Sequence, residues 1–533
     1  MSLPALPDFA SGSLELITEH PVLAFTAALG LAAYSIVGYA KSPYRQLPPG
    51  PKGVPLLGNV FQLTKDTQWL LFSDWAKKYG DVFTIDVLGQ KMVVLNSHKA
   101  VHEILDVRAS NTSDRPRCIV ASETLTGGLI IIFTHYNALW RRLRKAAHES
   151  LNKGVIHRYQ PIQYTEALIM ADSMVAQPAH WKSHLHRNAA SAAMGIIYDH
   201  PPLKSEFDPA VQKINDMATR MSKAGMPGAH LVEVLPILRY VPARFAKWKR
   251  EAQHWFKHDS EFLEGLFNDV RRRMDEGDNR PSIAATMIAE SERLGTSERE
   301  NAWAAATMYA AGAETTASVM TWWFLAMVAF PEHQRRAQEE IDRVVGRSRV
   351  PTFSDIDSLH YTQAMIRETM RWRPVAPFSM PHVSVEDDYF EGMFLPKGTT
   401  FIPNVWALNH DLNEYGPDAG DFNPQRFLDS QGKLKNGPAA TRDDGHFTFG
   451  FGRRICVGKH LAMQALAMNM ALVLWAMNLR PGKDANGIVK PLNLDDVVNN
   501  GLILRPVPFD VHVEIRSAEA ASMLREERER TGY

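Results

Sequence analysis

The run Phe449-Gly450-Phe451-Gly452-Arg453-Arg454-Ile455-Cys456-Val457-Gly458 constrains this chain more than any other stretch. It sets one cysteine in a glycine-rich loop just before an apolar helical pattern, residues 460–479. The first turn of such a helix offers unpaired backbone N–H groups and the positive end of the helix dipole. Both favour an anionic sulfur, as helix N-termini do for cysteine generally. A thiolate there can bind an iron. Gly452 and Gly458 let the backbone approach a flat macrocycle, and Arg454 can meet a carboxylate. The competing reading is an inert, buried cysteine in a glycine turn.

Over 533 residues no Ser/Gly linker, repeat or low-complexity block divides the chain after residue 60, which predicts one large domain. The net charge of zero argues against a nucleic-acid partner held through phosphates. Cys118 and Cys456 are the only cysteines, which excludes a disulfide framework and a structural zinc site. With Cys456 on iron, Cys118 is a free thiol, and the chain suits a reducing, cytosol-facing compartment.

Residues 21–40 carry no charge and match one bilayer crossing. Asp8, Glu15 and Glu19 precede them, and Lys41, Arg45 and Lys52 follow, so the positive-inside bias puts the remainder in the cytosol. The prolines of Leu47-Pro48-Pro49-Gly50-Pro51 resist helix and predict a stiff, extended hinge. The predicted layout is a lumenal segment 1–20, an anchor 21–40, a hinge 41–59, a catalytic domain 60–515 and a charged tail 516–533. A second apolar run, residues 303–330, has Glu314 at its centre, a large cost in lipid, and reads as a core helix.

The pattern between anchor and cysteine is mostly helical, with β signals near residues 82–95 and 383–401, hence a mainly α domain with a small sheet. Within Ala311-Gly312-Ala313-Glu314-Thr315-Thr316 the glycine costs about 1 kcal/mol relative to alanine, so something approaches closely there. Glu368 and Arg371 stand three apart on one helical face. Pro424-Gln425-Arg426-Phe427 follows, and Trp140-Arg141-Arg142-Leu143-Arg144 gives an earlier helix a basic face, which Lys145 shares.

Taken in this order, these motifs and the cysteine run resemble the cytochrome P-450 family of haem-thiolate monooxygenases over roughly residues 45–515. The resemblance implies the cytochrome P-450 fold after a single transmembrane helix, with haem b (iron protoporphyrin IX) as cofactor and Cys456 as the iron ligand. It implies that Trp140, Arg144, His382, Phe449, Arg454 and Gly458 contact the cofactor, with the Trp140 N–H and the cationic groups on its propionates. Thr315 then donates a hydrogen bond to dioxygen and Glu314 supplies protons through water, a task suited to a hydroxyl beside an acid. Glu368, Arg371 and Arg426 form a buried structural cluster. Val457 departs from the proline that many members carry after the cysteine, and Thr448 is also less usual.

The implied partners are an NADPH-cytochrome reductase, dioxygen, a membrane and a lipophilic small molecule, and no nucleic acid. The implied location is the endoplasmic reticulum membrane, single-pass, with the catalytic domain in the cytosol. By family analogy the pocket walls are residues 130–133, 217–226, Ala311, 375–378 and 501–504, which are largely apolar and suit a neutral ligand. The 227–232 stretch and the Pro381-His382 form resemble fungal microsomal members, pointing to hydroxylation of a terpenoid, polyketide or aromatic secondary metabolite. The alternatives are xenobiotic oxidation, a haem-thiolate isomerase or dehydratase, and a non-catalytic haem protein. The Glu314-Thr315 pair counts against the last two. Asn111-Thr112-Ser113 is a glycosylation sequon that the cytosolic reading leaves unused.

Overall fold

The computed structural model describes residues 42–533 except 65, 227, 279 and 485, together with residues 22, 25, 26 and 30. Apart from those four positions, the predicted lumenal segment 1–20 and anchor 21–40 lie outside the described residues. Among the described residues no helix is long and apolar enough to cross a membrane.

The proline-rich stretch is a strap fastened to a sheet. Helix α1 (Gln68–Tyr79) is followed by the antiparallel hairpin β1 (Val82–Val87) and β2 (Gln90–Leu95). Prolines have no N–H to give, but their carbonyls remain acceptors, and Pro49 O takes the Thr84 N–H at 2.7 Å. Gly50 is required at this seam because a β-carbon would stand 1.9 Å from Thr84 O. Asn59 extends the seam, accepting the Asp86 N–H at 2.8 Å and donating to Pro51 O at 3.1 Å.

The helical layer follows as α2 (Ala138–Leu151), α3 (Gln160–Ala176), α4 (Trp181–Tyr198), α5 (Pro209–Gly225), α6 (Lys247–Asp275) and α7 (Ile283–Leu294). Then come α8 (Glu298–Ala329), α9 (Pro331–Val344) and α10 (His360–Trp372). Strand β3 (His382–Val383), the hairpin β4 (Asp388–Phe390) and β5 (Met393–Leu395), and β6 (Thr400–Pro403) lie between α10 and the cysteine loop. β6 joins β2 in parallel and β3 antiparallel, giving the sheet order β1-β2-β6-β3. The predicted β signals fall on these strands. Helix α11 (Lys459–Ala476), β7 (Met477–Pro481), the hairpin β8 (Val497–Asn499) and β9 (Leu504–Pro506), β10 (Val511–Ile515) and α12 (Ala518–Arg530) complete the chain.

Helix α8 is the axis of the molecule. Ser297 and Glu300 close its first turn as a reciprocal capping box. Its 32 residues span about 48 Å at the usual rise. It packs on α4, α6, α7, α10 and α11, and Trp303, Trp322 and Trp323 are fully buried. The second apolar run is therefore a core helix, as expected.

The charged C-terminal segment differs from a solvated tail. Ala520 and Leu524, one turn apart on α12, are wholly buried, while Arg528 pairs with the buried Asp172 of α3. Tyr164 OH donates to Glu527 at 3.2 Å. The apolar i,i+4 pair is too short a signal to stand out in so charged a stretch.

Candidate active site

Helix α11 opens directly from the cysteine loop, with Gly458 as its N-cap. The loop is held from three sides. The Cys456 N–H donates to Phe449 O at 2.8 Å, and the Gly452 N–H donates to Asp106 Oδ1 at 2.6 Å. Gly452 has φ +56°, and a β-carbon there would stand 2.3 Å from Leu105 O, so glycine is obligatory. Thr448 Oγ1 donates to Met370 O at 2.8 Å, which ties the loop to α10 and gives the unusual threonine a task.

Cys456 keeps accessible surface within the loop. Burial pushes its thiol up, against the Gly458 N–H, Arg144 and Lys459, which favour the thiolate. The helix terminus alone does not win that balance. A cation bonded to the sulfur would, since a coordinating thiol is deprotonated outright.

The middle of α8 opens in the same way. Between Ala302 and Val328 only Ala311 and Gly312 are exposed, in a helix otherwise buried or half-buried. A β-carbon on Gly312 would meet nothing within 4 Å. Thr315, one turn after Ala311, donates to Ala311 O at 2.7 Å. Glu314 forms an ion pair with Arg505 of β9 rather than standing free.

A second set of side chains gathers beside the loop. Arg454 donates to Ser113 O at 2.8 Å, Thr134 O at 2.8 Å and Ile131 O at 3.2 Å, and lies over the Trp140 ring at 4.2 Å. Arg144 donates to Ile455 O at 2.6 Å. Arg115, which the motifs did not single out, is buried and donates to Pro381 O at 2.7 Å, Met380 O at 2.9 Å and Ile132 O at 3.2 Å. None of these three guanidiniums forms an ion pair with a carboxylate among the described residues. Burial pulls Arg454 down to about 10 and Arg115 well below its usual value. A guanidinium keeps its proton in proteins, so the direction of both shifts reflects burial of charge that Asp114 offsets only in part.

One neutral donor, the Trp140 indole, and one unprotonated imidazole nitrogen stand with them. Trp140 Nε1 and His382 Nε2 are buried without a hydrogen-bond partner. His382 Nδ1 donates to Thr112 O at 2.8 Å, and burial with the Arg115 charge keeps the ring neutral. Buried charges and polar groups left this way are costly. A flat ligand with two carboxylates, seated on Cys456, would satisfy the cluster. Haem b has that shape and those carboxylates, so the residues fit it.

Glu368 and Arg371 are fully buried and paired at 2.6 Å, with Arg426 on the same carboxylate at 3.1 Å. Arg371 also donates to Asn409 O, Ala419 O and Asp421 O at 2.7, 2.7 and 2.9 Å. Asn409 in turn accepts the Phe447 N–H at 2.9 Å, so this cluster braces the cysteine loop.

The basic face expected for α2 is narrower than the sequence suggested. Arg142 turns to Glu300 at 3.0 Å, leaving Arg141 and Lys145 exposed, because successive helical residues diverge by about 100°. Gly501 lies against Met226, with Sδ 3.5 Å from its β-carbon position, so two expected pocket segments meet. The Asn111 side chain accepts from the Val385 and Glu386 N–H groups, each at 2.9 Å, which commits the sequon amide to the fold. Cys118 is free, its thiol pushed up to about 11 by burial and by Glu233.

Asp106 and Arg115 were missed because neither lies in a periodic or spaced motif. Their carboxylate and guanidinium act on backbone groups that only the folded chain brings near.

Comparison with known proteins gives a match of the Cytochrome P450 family model to residues 48–510. The chain is 52% identical over 513 residues to a cytochrome P450 monooxygenase of Armillaria gallica, covering 96% of this chain and 98% of that one. It is 43% identical to cytochrome P450 monooxygenase 58 of Postia placenta over 95% of each chain. It is 38% identical to cytochrome P450 monooxygenase iboC of Amanita muscaria, over 91% of this chain and 94% of that one.

Proposed function

The chain belongs to the cytochrome P450 family, and from that premise we propose that it is a membrane-anchored monooxygenase that hydroxylates a lipophilic secondary metabolite with electrons from an NADPH-cytochrome reductase. That it is a haem b monooxygenase using dioxygen, a redox partner and a small-molecule substrate follows from the family. When bound through a cysteine thiolate, haem b supplies reductive activation of dioxygen and transfer of one oxygen atom to a C–H bond.

The residues divide the remaining work. Cys456 ligates the iron, and Gly458 and Phe449 hold the loop that presents it. Trp140, Arg144, Arg454 and His382, joined by Arg115, hold the propionates. His382 donates from Nε2 only when protonated, and an adjacent carboxylate is what would protonate it. Thr315 presents its hydroxyl at the open stretch of α8, and Glu314 replenishes its proton.

The observation that carries this reading is the buried set of cations that form no ion pair among the described residues, together with the unpartnered Trp140 N–H, beside an accessible cysteine. The membrane reading draws on the charge-free residues 21–40 and on apolar side chains exposed elsewhere. Leu56, Phe61, Leu231, Ile237, Tyr240 and Phe245 are each more than half exposed. The endoplasmic reticulum, with the domain in the cytosol, suits a free Cys118 and a sequon whose asparagine is occupied.

The test is the absorption spectrum of the dithionite-reduced protein under carbon monoxide, for wild type and Cys456→Ser. A thiolate-type red-shifted Soret band lost in the variant is expected. A histidine-type band in folded wild type would remove Cys456 from its role. Thr315→Ala should then divert reducing equivalents to peroxide, and unchanged coupling of NADPH to product would remove Thr315. For the anchor, deletion of residues 21–40 should release the protein from alkali-washed microsomes.

A further inference from the structure

One carboxylate from outside the cysteine loop grips the segment that ends in Cys456 at two points. Asp106 stands on the turn His102–Val107, a wide π-type turn that closes where the Arg108 N–H donates to Glu103 O at 3.1 Å. Such a turn carries one residue more than an α-helical turn and is frequent at functional sites. The Asp106 side chain is only 9% exposed. Its Oδ1 accepts the Gly452 N–H at 2.6 Å and pairs with the Arg442 guanidinium at 2.5 Å. Its Oδ2 faces His102 Nδ1 at 3.7 Å.

The stretch between those two grips is bent. Arg442 and Asp443 are consecutive left-handed residues, at φ +53° and +68°, and neither is glycine. That conformation is costly for a residue with a β-carbon and persists only where the surroundings impose it. Gly445 follows at φ +80°, where a β-carbon would stand 2.5 Å from the Phe427 ring. At the other end Gly452, at φ +56°, abuts Leu105 O, the carbonyl of the residue before Asp106. A single side chain therefore meets the segment where it bends and again just before the cysteine.

We propose that Asp106 is a positioning residue for Cys456: by holding Arg442 and Gly452, its carboxylate keeps the loop in the shape that presents the sulfur as a ligand. This rests on the reading of Cys456 as the iron ligand. A hydrogen bond to an ionised acceptor is roughly twice as strong as a neutral one. Without the carboxylate the Gly452 N–H loses its acceptor, and Arg442 and Asp443 are free to leave the left-handed region. The ties from α10 and Asn409 reach Phe447 and Thr448, whereas Asp106 acts at Gly452, nearer the cysteine.

The experiment uses the full chain loaded with haem and follows the dithionite-reduced carbon monoxide spectrum in mild urea. Decay of the thiolate-type Soret band is timed in wild type, Asp106→Ala, Asp106→Asn, Asp106→Glu and Arg442→Gln. Asp106→Ala loses both contacts, and its band is expected to decay at least about tenfold faster, the scale of one charge-assisted hydrogen bond. Asp106→Asn keeps an acceptor for Gly452, and Arg442→Gln keeps the carboxylate, so both should fall between Asp106→Ala and wild type. Asp106→Glu should recover part of the loss. Circular dichroism of the same samples separates positioning from general loosening: in Asp106→Ala the band should go while helix content holds. Asp355 is the control, a carboxylate with 9% exposure that accepts from Arg349 at 2.6 Å and from the Thr352 N–H at 2.8 Å. Asp355→Ala should lose band and helix content together.

A wild-type decay rate in Asp106→Ala would overturn the role of Asp106, and so would band loss that only keeps pace with helix content, as in the control. Either result leaves Cys456 in place. A folded wild type with no thiolate-type band would remove Cys456 as the ligand, and the proposal with it. Should Asp106→Ala retain no haem, Asp106→Asn and Arg442→Gln carry the decision, and wild-type decay in both would overturn the clamp.

Discussion

Two buried arginine clusters flank the cysteine loop, and they are built to opposite rules. Around Glu368, Arg371 and Arg426 the guanidiniums share a carboxylate, and Arg371 has three backbone carbonyls besides. Around Arg115, Arg144 and Arg454 carbonyls are the bonded acceptors, and the Asp114 carboxylate acts on Arg115 and Arg454 only from a distance, with no ion pair among the described residues. The first cluster is complete from the chain alone. The second is complete only with an anionic ligand. A buried ion cluster stabilises by being closed, and a binding site works by being left open.

The largest effect expected breaks the closed cluster. Glu368→Gln leaves Arg371 and Arg426 buried without their shared charge and should cost about 3–5 kcal/mol, with or without haem. Urea unfolding of the haem-free and loaded protein checks this, and equal loss in both states is the signature. The open cluster should respond in the reverse sense. Arg454→Met removes a buried charge that has no ion-pair partner among the described residues of the haem-free protein, so its stability should hold or rise. The same change should weaken haem retention by about 10–100-fold, the size of one charge-assisted contact of roughly 1.5–3 kcal/mol. Haem transfer to apomyoglobin measures the retention. Parallel loss of stability and retention would show that the two clusters do the same job.

A pH experiment sharpens the contrast through two histidines. His410, near the closed cluster, is held down to about 3 by burial and Arg371, and its Nδ1 donates to Trp406 O at 2.8 Å. His382, in the open cluster, is held well below its usual value by burial and Arg115. Each binds a proton when unfolded, with a pKa of about 6.5, and resists one when folded. The unfolded state therefore gains protons first as pH falls, so stability is present above pH ~6.5 and is lost below it. Haem carboxylates would restore His382 protonation in the folded state and leave His410 unchanged. His382→Gln should flatten the acid slope of haem-free protein more than that of loaded protein, and His410→Gln should flatten both alike.

The same contrast explains what was legible in the sequence. The cysteine loop, the Glu368–Arg371 spacing and the core character of residues 303–330 all follow from local pattern, and the fold honours them. The propionate candidates Trp140, Arg144, His382 and Arg454 came through a resemblance, and the fold brings them to one place. Arg115, Asp106 and Arg505 were out of reach because their partners include backbone groups or side chains more than a hundred residues away. Arg142 was read as part of an exposed face because its partner Glu300 begins a different helix. The docked α12 was hidden by charge: two small apolar contacts decide its place, and a composition count weighs them lightly.

The smallest effect tests whether the open cluster reaches beyond charge. Trp140 Nε1 is a neutral donor, buried and unpartnered, while its ring already supports Arg454 at 4.2 Å. Trp140→Phe keeps an aromatic face for the guanidinium and removes only the N–H. In haem-free protein the unsatisfied donor disappears, so stability should change by less than the cost of a core cavity, and in the favourable direction if packing closes. In loaded protein one neutral hydrogen bond is lost, worth about 0.5–1.5 kcal/mol, or a roughly 2- to 12-fold faster loss of haem. A haem-loss rate equal to wild type would mean that the Trp140 N–H never meets a carboxylate and that the arginines alone hold the ligand. A loss as large as that of Arg454→Met would mean instead that the indole ring, by placing Arg454, matters more than its N–H.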